Sequence, residues 1–280
     1  METVNFIKMH GTGNDFVIID ERKKILVKDK EKHGLALKLC DRHFGIGADG
    51  IIFISNSKKN DMKMRIINSD GSEAEMCGNG IRCLALYAAS SSKKKKFKVQ
   101  TLAGLIQPEV IGNDVRVSMG KPRLKCKEIP MNFNKTTCLN EILNVPGFGT
   151  FTISAVSMGN PHVIIFTNNL NEINLERLGP AIETHSIFPK KTNVHFVQVL
   201  NKNEIKIRTW ERGAGITLAC GTGATGCAVV CNLLNKTGEK IKVHVPGGEL
   251  SIELVKKRGT ITNTFMTGPA TEVYKGSFRL

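Results

Sequence analysis

The chain has 280 residues, 41% hydrophobic and 23% charged, with 40 Lys and Arg against 25 Asp and Glu for a net charge of +15. At roughly 150 residues per domain this is a two-domain length, and the composition excludes wholesale disorder. The basic residues scatter apart from one run, Lys93 to Lys96, and aromatic residues are 6%, so nucleic acid is not an expected partner. The most apolar stretch, Cys220 to Leu234, is one helix long and rich in Gly and Ala, and the N-terminus shows no signal-peptide pattern. The expected setting is cytoplasmic, without a membrane partner.

Short apolar runs bounded by turn residues predict strands at Phe16–Ile19, Gly50–Ile54 and Met64–Ile67. Helical periodicity falls on Lys30–Arg42, Ile81–Ala89, Leu175–His185 and Ala224–Leu234. Gly112-Asn113-Asp114 predicts a hairpin ahead of Val115–Val117. In the second half, Asn201-Lys202-Asn203 joins Val194–Leu200 to Glu204–Trp210, and Pro246-Gly247-Gly248 joins Ile241–Val245 to Glu249–Leu254.

The chain also repeats itself. Gly13-Asn14-Asp15-Phe16-Val17-Ile18-Ile19 resembles Gly159-Asn160-Pro161-His162-Val163-Ile164-Ile165, 146 residues later. Met76-Cys77-Gly78-Asn79-Gly80 resembles Ala219-Cys220-Gly221-Thr222-Gly223, 143 residues later. Two matches in one order at nearly one offset predict two similar domains.

Each half therefore carries a strand, a turn and Cys-Gly-x-Gly leading into an apolar helix. The glycines let the backbone turn sharply. The first turn of a helix offers N–H groups and the positive end of the dipole, which suit a carboxylate. The same field favours a thiolate and predicts a lowered thiol pKa. If the domains pack about a pseudo-twofold axis, Cys77 and Cys220 would flank one substrate α-carbon. One thiolate would take the α-proton and the opposite thiol would return a proton to the other face. The eight cysteines contain no Cys-x-x-Cys half-site, so no metal is expected. Cys40, Cys83, Cys126, Cys138, Cys227 and Cys231 have no counterpart in the repeat and read as core residues.

Five segments carry a family resemblance. They are Lys8 to Phe16, Arg65 to Arg82, Ser157 to His162, Thr192-Asn193-Val194, and Glu211 to Gly215 with Ala219 to Gly223. In this order, over nearly the whole chain, the sequence resembles the diaminopimelate epimerases. The resemblance implies an α/β (α+β) fold of two pseudo-symmetric domains, each a barrel-like sheet around a central helix. The expected boundaries are 1–120 with 266–280, and 121–265. It further implies a cofactor-independent isomerase interconverting LL- and meso-diaminopimelate, in lysine or peptidoglycan precursor synthesis, acting as a homodimer with Tyr274 at the dimer contact.

Carried over residue by residue, Cys77 and Cys220 are the catalytic acid and base, and His162 and Glu211 tune their pKa values. Main-chain groups of Gly78, Asn79, Gly221 and Thr222 hold the α-carboxylate. Asn14, Asn68, Asn160, Asn193, Glu211 and Arg212 read the rest of the substrate. The chemistry suits a zwitterion: Arg212 grips a carboxylate bidentately, and asparagine both donates and accepts. Gly50 stands where some relatives have Gln, and Ile216 where many have Glu, so no side-chain role is carried over there. A racemase of proline-like amino acids, a Cys–His hydrolase using His162 and a non-enzymatic basic binding protein, which leaves the motif residues idle, are the competing readings. The first leaves the Glu211-Arg212-Gly213 turn without a charged group to meet, and the second leaves the duplicated cysteine turn unexplained.

Overall fold

The computed structural model describes residues 3–280 and divides into two compact units, Met1–Ser118 with Thr267–Leu280, and Met119–Met266. The chain passes between them within two strands, Asp114–Gly120 and Thr260–Pro269.

In the first unit β1 (Thr3–Gly11) and β2 (Asn14–Asp20) form a hairpin. Helix α1 (Asp29–Leu39) then returns the chain so that β3 (Gly50–Ser55) lies parallel to β2. β4 (Met62–Asn68) folds back on β3, and the short β5 (Glu73–Ala74) pairs with β4. Helix α2 (Gly78–Ser90) follows, then β6 (Val99–Thr101), parallel to β4, and β7 (Gly104–Ile106), antiparallel to β6. β8 (Glu109–Ile111) and β9 (Asp114–Gly120) make the hairpin expected at Gly112. The C-terminal strand Thr271–Arg279 lies antiparallel beside β1.

In the second unit, which starts at Met119, a 3-10 turn at Cys126–Glu128 precedes β10 (Glu141–Val145), antiparallel to β11 (Gly149–Ser157), and the first unit's order then runs again. β11 and β12 (Pro161–Phe166) are antiparallel, and α3 (Leu175–Glu183) leads to β13 (Asn193–Asn201), parallel to β12. β14 (Glu204–Glu211) folds back on β13, and β15 (Gly215–Thr217) pairs with β14. Helix α4 (Gly221–Leu233), β16 (Lys240–Val245), parallel to β14, and β17 (Gly248–Lys257), antiparallel to β16, complete the correspondence with α2, β6 and β7. β18 (Thr260–Pro269) leads back toward the first unit.

The repeat in sequence is thus a repeat in topology. Its strands are apolar at consecutive positions because both faces are covered. On one face Val17, Ile19, Ile51 and Phe53 pack with Ala36 and Leu39 of α1. On the other, Phe16, Ile52 and Ile66 lie under Gly80 of α2. Helix α2 touches β1, β2, β3, β8 and the C-terminal strand, and α4 touches β11 to β14, β16 and β17. Nearly every residue of both helices is buried, which is why neither shows a polar stripe.

The α1 pattern predicted a helix to Arg42, but the helix ends at Leu39. The cause is the following loop. Ile46 and Gly47 donate to the Leu39 carbonyl at 2.8 and 3.0 Å, taking the acceptor that another helical turn would use. Gly45 is required there, since a Cβ would lie 2.5 Å from the Lys38 carbonyl oxygen. Among the described residues no helix is long and apolar enough to cross a membrane.

Candidate active site

Cys77 and Cys220 are the N-caps of α2 and α4, each with extended backbone (φ −134° and −122°). The first intrahelical bonds run from Ile81 to the Cys77 carbonyl at 2.9 Å and from Ala224 to the Cys220 carbonyl at 2.8 Å. Gly78 and Asn79, and Gly221 and Thr222, precede those bonds. Their N–H groups therefore lie in the part of each helix that has no helical acceptor.

In the first unit the Cys77 sulfur accepts from Gly80 N–H and donates to Asn14 Oδ1, both at 3.5 Å. Asn79 Nδ2 donates to the same oxygen at 3.1 Å. Asn14 Nδ2 in turn donates to Asp49 at 2.6 Å. The orientation of the Asn14 amide is thereby set from both ends: a carboxylate takes its N–H, and its oxygen faces the thiol. Asp49 is held by Arg42 at 2.7 Å, and Arg42 also bonds Asp15 at 2.8 Å. Lys8, almost wholly buried, pairs with Asp15 at 2.7 Å and donates to the Gly47 carbonyl. Burial alone would raise the Asp15 pKa, but hydrogen bonds from Arg42 and Lys8 bring it down to about 2.

Beneath this turn Arg82 is fully buried. It donates to Asn79 Oδ1 at 3.0 Å, Thr12 Oγ1 at 3.1 Å and the Pro269 carbonyl at 3.1 Å. The Arg82 guanidinium thus braces the asparagine that braces Asn14.

In the second unit Cys220 Sγ lies 3.6 Å from Thr222 Oγ1. The lowered thiol pKa expected at this helix end is not found: burial, and then the Glu211 carboxylate, push the Cys220 thiol well above its usual range. A buried thiolate loses its hydration and meets a negative neighbour, and together these outweigh the helix dipole. Thr217 donates to Glu211 Oε1 at 2.7 Å, holding that carboxylate in place. The six cysteines outside the repeat are all buried. Burial raises Cys40 to about 11 and Cys83, Cys138 and Cys231 to about 12, as expected of core thiols.

His162 is fully buried, with Nε2 2.9 Å from Asn160 Oδ1 and Nδ1 2.9 Å from His195 Nε2. His195 is equally buried, and its Nδ1 lies 2.9 Å from Thr209 Oγ1. Burial lowers both imidazoles, His195 to about 3, so each ring is neutral.

Asn193 is buried, donating to the Pro161 carbonyl at 2.7 Å and accepting from Arg212 N–H at 3.0 Å. It ties the start of β12 to the turn after β14. The Arg212 side chain donates to the Lys190 carbonyl at 3.1 Å and is exposed. Asn68 donates to Ser72 Oγ at 2.9 Å at the end of β4. Tyr274 stands half-exposed on the C-terminal strand, edge-on to Phe6 at 5.9 Å. A Cβ on Gly50 would lie 2.8 Å from the Ile67 carbonyl oxygen, so this backbone does not admit a glutamine there. Ile216 is half-exposed on β15, opposite Trp210.

Several residues around these turns carry no signal in the sequence reading. Asp49, Arg82, His195 and Thr209 act through partners distant in sequence. Glu183 is a further case: it accepts from Trp210 Nε1 at 2.6 Å and from Gly213 N–H at 3.1 Å, so it shapes the Glu211-Arg212-Gly213 turn from α3. The repeat held a usable clue for two of them. His195 and Thr209 fall where the first unit has Ile52 and Ile66, a polar pair in an apolar layer. Among the described residues no group of three or more His, Cys, Asp or Glu side chains is arranged to hold a metal ion.

The family model described as diaminopimelate epimerase matches residues 6–125 and 154–273, one stretch in each half of the chain. A diaminopimelate epimerase of Carboxydothermus hydrogenoformans is 51% identical over 280 residues, covering 99% of this chain and 100% of its own. One from Desulforapulum autotrophicum is 48% identical over 285 residues, with 99% of each chain covered. Among solved structures, a Bacillus anthracis phenazine biosynthesis protein of the PhzF family superposes with a TM-score of 0.73 at 16% identity, covering all of both chains. A hydroxyproline epimerase from Agrobacterium vitis gives 0.71 at 13% identity, covering 99% of this chain and 91% of its own. At those identities the two structures show the fold alone.

Proposed function

The chain belongs to the diaminopimelate epimerase family, an isomerase family, and from that premise we propose that it interconverts LL- and meso-diaminopimelate with Cys77 and Cys220 as the two acid–base groups. The observation that carries the reading is the duplicated cap: each unit sets a cysteine at the N-terminus of its central helix, with the N–H groups of the first turn beside it.

In this reading the reaction needs no cofactor. The α-carboxylate is held by main-chain N–H groups of Gly78, Asn79, Gly221 and Thr222, which stabilise the charge that develops as the α-proton leaves. One sulfur, as thiolate, takes that proton, and the other, as thiol, gives its own to the opposite face. The pair ends with the proton exchanged between sulfurs and the stereocentre inverted. The raised thiol of Cys220, set by burial and by Glu211, supports its entering as the protonated member. His162, a neutral buried ring, and Glu211 tune the pair. Asn14, Asn68, Asn160, Asn193 and Arg212 bind the remainder of the substrate, whose far end carries an ammonium and a carboxylate. Domains 1–120 with 266–280, and 121–265, supply one cysteine each. The enzyme works as a homodimer with Tyr274 at the contact, in the cytoplasm, supplying lysine or peptidoglycan precursors.

The test is proton exchange in deuterated water, followed by NMR on the reduced protein with no added cofactor. LL-diaminopimelate should lose its α-proton signal as the meso form appears, while proline stays unchanged. Exchange with proline alone would move the substrate to the cyclic amino acids, and exchange with neither would overturn the epimerase reading.

A further inference from the structure

Gly80 and Gly223 stand at the same position of the two cysteine turns, and the layer beneath them differs. Under Gly80 a Cβ would meet Ile52, Ile66 and Phe16, all apolar. Under Gly223 it would meet the His195 ring, 2.2 Å from Cε1. The register places His162, His195 and Thr209 where the first unit has Phe16, Ile52 and Ile66. All three polar residues are buried, at 0, 0 and 3% exposure. Burying three polar side chains in place of three apolar ones costs stability unless they satisfy one another, and they do.

The bonds have a direction. Among the described residues Thr209 Oγ1 has His195 Nδ1 as its one side-chain partner, so a buried hydroxyl proton goes unpaired unless it is donated there. His195 Nδ1 is then the acceptor, and its proton sits on Nε2. Nε2–H donates to His162 Nδ1, which places the second ring's proton on Nε2 as well. That proton goes to Asn160 Oδ1, leaving the Asn160 Nδ2–H groups to face a ligand. Reversing every bond would strand the Thr209 proton and turn the Asn160 carbonyl outward.

We propose that Thr209 and His195 are positioning residues for the epimerase reaction: the Thr209 hydroxyl sets the tautomer of both imidazoles and so presents Asn160 to the substrate as a hydrogen-bond donor. The inference rests on the proposed function for its substrate and deepens that reading. Asn14, at the matching position, has its amide set by Asp49 and Asn79 instead. The two asparagines thus offer opposite halves of their amides. One turns its oxygen to a thiol, and the other its N–H groups to a carboxylate acceptor.

Long-range nitrogen–proton NMR of the labelled wild-type protein at neutral pH reads the tautomers directly. Both buried rings should carry their proton on Nε2, and an Nδ1–H form of either ring overturns the proposal. Thr209→Val removes the donor at nearly constant shape, and the exclusive Nε2–H pattern should be lost. KM for diaminopimelate should rise roughly ten- to hundredfold with kcat changed far less, since a binding contact common to ground and transition state is weakened. Thr209→Ser should restore both the spectrum and KM. An unchanged KM in Thr209→Val, despite the altered spectrum, also overturns it. A variant that does not fold leaves the wild-type spectrum to decide. A wild-type protein inactive on diaminopimelate would sink the functional reading, while the spectra would still judge the hydrogen-bond chain.

Discussion

Phe16 and His162 hold the same place in the repeated topology: each opens the parallel pairing of its unit, with Gly50 and with Asn193. One is an apolar residue beneath its helix, the other the middle of a buried hydrogen-bond chain. The two units share a scaffold and differ in what that scaffold holds under its cysteine.

The difference is measurable as stability. Gly223→Ala drives a methyl into the His195 ring, which is locked by its hydrogen bonds, whereas at Gly80 the nearest atom is Cδ1, the far end of the Ile52 side chain, 3.1 Å away. Overpacking of a rigid site costs about 1–3 kcal/mol. Urea unfolding should show a loss of that size for Gly223→Ala and a smaller one for Gly80→Ala. Equal losses would mean that the imidazole layer yields as easily as the aliphatic one.

Replacing either cysteine of the pair should remove epimerisation while leaving the fold in place. A positioned acid or base is worth about 10²- to 10⁴-fold. Cys77→Ala and Cys220→Ala should each lose at least that much in kcat/KM, with circular dichroism unchanged. A variant that still interconverted the stereoisomers at the wild-type rate would exclude its cysteine from the chemistry.

The Cys220 thiol, raised by burial and by Glu211, should resist iodoacetamide at neutral pH and react as the solution becomes alkaline. Glu211→Gln removes the negative neighbour, so the thiol pKa falls and the alkylation profile moves to lower pH. Peptide mass spectrometry across a pH series reads this site by site. A profile that stayed put would leave burial as the whole cause.

Asp15 predicts an acid limit. Its pKa is about 2 in the folded protein against 3.8 for an unperturbed aspartate side chain. A depressed folded pKa means stability that is fully present above pH 4 and is lost as pH falls toward 2. At 1.36 kcal/mol per unit the contribution is about 2 kcal/mol. Asp15→Asn should flatten the pH dependence of unfolding across that window, and an unchanged slope there would assign it to other carboxylates.

Much of this was legible in one dimension. The repeat, the hairpins at Gly112, Asn201 and Pro246, and the helices opened by Cys77 and Cys220 follow from apolar periodicity and turn residues, which act over a few positions. Helix α1 ends three residues short of its apolar periodicity because its end is decided by a loop that folds back onto Leu39, a contact that periodicity does not encode. The thiol pKa of Cys220 departs from the helix-end expectation for a similar reason. A helix N-terminus is visible in sequence, but the burial and the carboxylate that overrule it are not.

By itself, then, the sequence determined the duplicated architecture, the two cysteine caps and the family, since these rest on local patterns and on motif order. Tertiary structure alone decided which side chains meet: Asp49 with Asn14, Arg82 with Thr12, and Thr209 through His195 and His162 with Asn160. The physical reason is that a hydrogen bond is fixed within a few tenths of an ångström and by direction. Strand register, which joins residues 14, 33 or 35 apart in these contacts, supplies that precision only once the sheets have formed.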